Sequence, residues 1–192
     1  MLRPGLPFPL LARTGLSGLV AALLWAAPAP ATTGAEAPPV VTPPPVPTAP
    51  LGVATLQPDG SALPPADAPP TVRRAINAAN RIRTKPYIWG GGHRRFRARG
   101  YDCSGAVSYA LHAAGLLAFP MTSGYLARLW GAPGIGQWIT VYANRSHTYA
   151  VIAGLRWDTS AIGEPLRSGS GPRWRMTQRS PSGYAARYFV GL

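Results

Sequence analysis

The 192 residues contain one thiol, Cys103, and three imidazoles, His93, His112 and His147. The run 103–117, CSGAVSYALHAAGLL, has helical spacing with Ala106, Val107, Ala110, Leu111 and Ala114 inward, so Cys103 opens the helix. Free backbone amides and the dipole at a helix start favour a thiolate, which is the nucleophilic form of cysteine. A small buried apolar residue is the plainer reading of a lone Cys.

A nucleophile of this kind needs a base. His112 lies nine residues into the same helix, more than two turns away, and cannot face the thiol. His93 heads a basic loop, HRRFRARG, where a solvated or substrate-contacting role is expected. His147 begins the strand-like run HTYAVIAG, whose end can hold an imidazole rigidly against a helix N-terminus. Asp158 follows eleven residues later, beyond a turn at Ala153-Gly154. If 147–153 and 155–159 form a hairpin, the return strand brings Asp158 beside His147, where its carboxylate orients the ring. Alternatively, Asp158 is a surface carboxylate answering one of many arginines.

The elements that must position these groups are legible around them. Residues 71–83, TVRRAINAANRIR, put Val72, Ala75, Ile76, Ala79 and Ile82 on one helical face, with Thr71 as its cap. Pro86 ends that helix, and the triplet Gly90-Gly91-Gly92 marks a turn where backbone passes close to something. Strand-like runs rich in β-branched and aromatic residues occupy 137–143, 147–153, 155–159 and 184–190. Helices followed by short antiparallel strands predict an α+β fold, with N-terminal helices packed on a small antiparallel sheet.

The first third of the chain is of another kind. Residues 1–13 hold Arg3 and Arg13 and no acid, and 15–27, GLSGLVAALLWAA, are thirteen weakly polar to apolar residues. The small-residue exit Ala29-Pro30-Ala31 completes the pattern of a secretory signal peptide over 1–31. Thirteen helical residues rise about 20 Å, short of the roughly 30 Å hydrocarbon core, so no transmembrane span is expected in the mature form. Seventeen of the 23 prolines lie in residues 1–70, so 32–70 read as a disordered Pro/Ala-rich linker in extended polyproline II. Residues 71–192 remain as one catalytic domain in a secreted or cell-envelope protein. An exported chain that keeps an unpaired thiol tilts Cys103 toward chemistry, because an idle thiol there invites oxidation.

Composition removes several function classes. One Cys excludes a disulfide framework and a Cys-rich zinc site. The chain carries 19 Lys+Arg against 6 Asp+Glu, and residues 71–192 alone hold 17 cations against Asp102, Asp158 and Glu164. Such a field draws polyanions, including anionic cell-wall polymers. Nucleic acid is not an expected partner of an exported chain that has no recognition motif for it.

Two motifs then converge. Pro86-Tyr87-Ile88-Trp89-Gly90-Gly91, followed by Gly100-Tyr101-Asp102-Cys103-Ser104-Gly105 and Tyr109, resembles the NlpC/P60 peptidases, papain-like cysteine peptidases of bacterial cell walls. The resemblance covers roughly residues 71–160 and implies a papain-like NlpC/P60 fold. It implies Cys103 as nucleophile, His147 as base and Asp158 at the third polar position, with Tyr87, Asp102 and Ser104 lining the substrate cleft. The substrate would be peptidoglycan or its muropeptides, cut between D-isoglutamate and the diamino acid of the stem peptide. No metal or organic cofactor is called for. Asp102 has two readings, one holding a substrate ammonium and one capping the Cys103 helix. The run Gly136-Gln137-Trp138-Ile139 lacks the acid that the family carries before its His strand, and the tail 171–192 has no counterpart. An amidase or acyl transferase using the same Cys–His pair, and a non-catalytic wall-binding domain, are the alternatives.

Overall fold

The computed structural model describes residues 52–164 and 169–192. The expected signal peptide, and the linker up to residue 51, lie outside the described residues. Three helices and eight strands follow in the order β1 Thr55–Leu56, β2 Ala62–Leu63, α1 Pro70–Ile82, α2 Cys103–Ala113, α3 Ser123–Leu129, β3 Ala132–Pro133, β4 Ile139–Ala143, β5 Thr148–Ile152, β6 Leu155–Asp158, β7 Arg173–Arg175 and β8 Ala185–Tyr188. The class is mixed α+β. A six-stranded antiparallel sheet runs β3-β8-β4-β5-β6-β7, and β1 and β2 form a separate two-stranded hairpin. Among the described residues, no helix is long and apolar enough to cross a membrane.

Helix α1 buries the expected face, Val72, Ala75, Ile76, Ala79 and Ile82, with Ala78 beside it. Its cap differs from expectation. The helix starts at Pro70, whose fixed φ suits a first helical position, and no side chain caps it. Thr71 therefore sits inside the first turn, its hydroxyl accepting from Arg74 at 3.0 Å.

The linker reading fails over 52–69. This stretch folds back as the β1–β2 hairpin, and Ala54, Ala62 and Ala68 are buried in the main core. Asn80 on α1 clamps β2 by accepting from the Ala62 amide and donating to the Ala62 carbonyl, both at 2.9 Å. The Ala54 amide donates to Ala153 O at 2.8 Å, tying the hairpin to the sheet. Proline content argued against a regular ladder, but a two-residue pair needs few backbone donors.

Helix α2 is shorter than expected, ending at Ala113 rather than Leu117. Gly115, with φ +79°, takes the left-handed position, and the Leu116 amide closes back onto Leu111 O at 2.9 Å. α3 escaped the sequence reading because seven residues offer too little periodicity. Its C-terminal carbonyls are answered by Arg187, which donates to Arg128 O, Trp130 O and Gly131 O. The core between helices and sheet is filled by Val72, Ile76, Val107, Leu111, Val141, Ile152 and Trp157, all 0–1 % exposed. Trp157 also donates its indole N–H to Ala106 O at 3.2 Å, joining β6 to the first turns of α2.

Two glycines fix the approach to that first turn. A Cβ on Gly105 would run into the Gly91 carbonyl oxygen, and one on Gly92 would lie 2.8 Å from the Gly105 Cα. The glycine loop and the start of α2 thus pack backbone against backbone. Gly105→Ala should cost about 1–3 kcal/mol of stability by forcing them apart. Urea unfolding measures this, and an unchanged midpoint would contradict the close packing.

Candidate active site

Cys103 is the first residue of α2 and is 8 % exposed. Asp102 caps the helix from extended backbone, its Oδ1 accepting from the Gly105 amide at 2.8 Å. The capping reading of Asp102 therefore holds. The cap sets where the helix begins and so where the sulfur points.

His147 immediately precedes β5. The turn between β5 and β6 has two central residues, Ala153 and Gly154, both with positive φ (45° and 79°). That geometry matches the right-handed twist of a two-residue hairpin. The register pairs Ile152 with Leu155 and Ala150 with Trp157. Continuing it sets Asp158 opposite Tyr149, and the period of two puts His147 on the same side. The outcome is a hydrogen bond of 2.9 Å between His147 Nε2 and Asp158 Oδ1. With Nε2 taken by Asp158, Nδ1 is the ring nitrogen left to face the Cys103 side chain, which interacts with the imidazole. Burial alone would depress the His147 pKa, but the Asp158 and Cys103 hydrogen bonds and charges outweigh it and push it up to about 9. At neutral pH the imidazole therefore carries its second proton.

Asp158 is not the surface carboxylate of the alternative reading. Its side chain is fully buried. Oδ1 also accepts from the Ser160 amide at 2.8 Å, while Oδ2 faces Arg179 at 3.3 Å and Arg156 at 3.7 Å. Arg156 is itself 0 % exposed and donates to Ile162 O at 3.0 Å. Arg179 stands over Tyr149 and Tyr184, 5.6 and 5.3 Å from the ring centroids, and Tyr184 meets the His147 ring edge-on at 6.4 Å.

A pocket of about 490 Å³ opens beside the sulfur, lined in part by Trp89, His93, Asp102, Ser104 and Arg145. Tyr87 is near as well: burial first, and then the charges of Cys103 and Asp102, raise its phenol pKa. So Cys103, His147 and Asp158 come together as one cluster, with Tyr87, Asp102 and Ser104 around it. His112 is elsewhere, stacked on Phe96 with Nδ1 at 2.9 Å from Leu117 O. Three participants escaped the sequence reading. Arg156 and Arg179 were lost among seventeen other like-charged residues, and Arg145 sits in a loop with no pattern. For Arg156 the strand itself gives little signal: LRWD is half charged, and the structure shows it buried throughout.

No protein-family model matches the chain, and no curated protein matches it. Among solved structures the chain is similar to Rv1477, a hypothetical invasion protein of Mycobacterium tuberculosis, at 21% identity with a TM-score of 0.43. The match covers 62% of this chain and 62% of that one, so the chain spans less than two thirds of its neighbour.

The raised His147 pKa has a kinetic consequence for any reaction that uses its proton. Activity should fall on the alkaline side as pH rises through about 9, because the imidazolium is lost there. Asp158→Asn removes the charge that holds the proton, so that limb should move toward lower pH and turnover should drop about 10²-fold or more. A pH–rate profile of both proteins decides it; coincident alkaline limbs would contradict the coupling.

Proposed function

We propose that the chain is an exported cysteine endopeptidase of the bacterial cell wall, papain-like and of the NlpC/P60 type, acting on peptidoglycan stem peptides. The single observation that carries this reading is the imidazole of His147, held by the buried Asp158 carboxylate and interacting with Cys103 at a helix start. The two motifs around Tyr87 and Cys103 support it, because they place a tyrosine and a polar pocket at the same sulfur.

The chemistry follows from the arrangement. The Cys103 thiolate adds to a peptide carbonyl, and the carbonyl π electrons move to oxygen. The Cys103 backbone N–H at the start of α2 faces the developing oxyanion. As the tetrahedral species collapses, the C–N bond breaks and His147 gives its proton to the leaving amine. A thioester on Cys103 remains. Neutral His147 then takes a proton from water, the hydroxide adds to the thioester, and the C–S bond breaks to release the acid and restore the thiolate. Asp158 keeps Nε2–H occupied throughout, so the ring always turns Nδ1 to the sulfur and the substrate. The bond assigned is that between D-isoglutamate and the diamino acid of the stem.

Cys103→Ala and His147→Ala should each lower hydrolysis of purified wall by about 10³-fold or more, with small effects on folding. Mass spectrometry of the released muropeptides, with Cys103→Ala as control, locates the cut. New termini at the sugar–L-Ala amide would make the protein an amidase, and no new termini on any wall type would leave a binding domain.

A further inference from the structure

Asp102 carries one carboxylate, and its donors are all supplied by the protein. Oδ1 accepts from the Gly105 amide at 2.8 Å and from Ser104 Oγ at 3.1 Å, and Oδ2 accepts from the Gly90 amide at 3.0 Å. His93 Nε2 bridges both oxygens, 3.0 Å from Oδ1 and 2.8 Å from Oδ2. A carboxylate accepts at about four lone-pair positions, and these contacts fill them. The residue is 4 % exposed.

His93 therefore occupies the carboxylate oxygens that a cation would otherwise need. A carboxylate only accepts, so the hydrogen lies on Nε2, and Nδ1 has no partner among the described residues. The ring is one third exposed and lines the same pocket as Cys103. Asp102 is the one acid among that pocket's lining residues, while Arg145 is its permanent cation. An ammonium entering here would find no free carboxylate oxygen and would face Arg145. An amide brings no charge, and its N–H can donate to Nδ1 of His93.

We propose that His93 is a specificity residue: by occupying Asp102, it makes the pocket accept stem peptides whose N-terminal amine is acylated, in preference to fragments with a free ammonium. This deepens the peptidase reading and rests on it. Uncut wall, where the stem is still joined to sugar through an amide, would then be the substrate, and amine-ended turnover fragments would not.

The test is calorimetric titration of the full chain carrying Cys103→Ala with two synthetic peptides, L-Ala–γ-D-Glu–diamino acid with a free or an acetylated N-terminus. The acetylated peptide should bind at least as tightly as the free one. Adding His93→Ala should swing the ratio about tenfold or more toward the free amine, the scale of one charge-assisted hydrogen bond to the vacated carboxylate. A tenfold preference for the free amine before His93 is changed overturns the proposal. So does an unchanged ratio in a folded His93→Ala protein, and the first comparison decides alone if that variant does not fold. Binding of neither peptide overturns it too, and whether the peptidase reading falls with it is read separately, from release of peptides from whole wall by the unsubstituted protein.

Discussion

One buried negative charge organises the cluster. The Asp158 carboxylate, wholly out of water, is answered by His147, the Ser160 amide, Arg179 and Arg156. A charge in that position is tolerated only when such partners replace its lost hydration. Arg156 and Ser160 flank the acid in its own stretch of chain, His147 comes from the other arm of the hairpin and Arg179 from the tail, so the requirement draws hairpin and tail together. The hairpin supplies His147, the strand supplies Arg156, and the tail returns to supply Arg179. Residues beyond 160, which the motifs do not account for, thereby acquire a function. Among them β7 pairs with β6, and Arg179 lies against the acid.

The other anchor is the start of α2, and the two depend on one another. Asp102 fixes the helix origin and the glycine loop fixes what may lie against it. Trp157, next to Asp158 in sequence, hydrogen-bonds Ala106 within that same helix. A shift of α2 along its axis would therefore move the sulfur and pull on the strand that carries the acid. This coupling lets a marginally stable domain keep its three side chains together.

Legibility in the sequence followed the length over which each signal repeats. α1 shows its apolar face over three turns and was read to within a residue at each end. The pairing of His147 with Asp158 could be seen because Ala153-Gly154 is a strong turn signal and both strands are β-rich. What escaped depended on distant partners. The β1–β2 hairpin is held by Asn80, which no local pattern connects to Ala62. β7 is three residues long and α3 is seven, below what periodicity resolves. Arg156 and Arg175 are buried against the usual preference of charged side chains, and Asp158, Glu164 and nearby backbone carbonyls explain them. His93 reads in the sequence as a solvated or substrate-contacting residue of a basic loop, and its engagement with Asp102 is not legible there because it requires the loop to fold back over α2.

The central claim is that Cys103 becomes covalently acylated during turnover, and trapping that species tests it most directly. The protein is mixed with stem peptide, quenched in acid within the first turnovers and weighed intact by mass spectrometry. The account predicts a mass increase equal to the acyl half of the substrate, mapped to the peptide that contains Cys103. Product accumulating while the protein mass stays unchanged, or an acyl group found on any other residue, would contradict it.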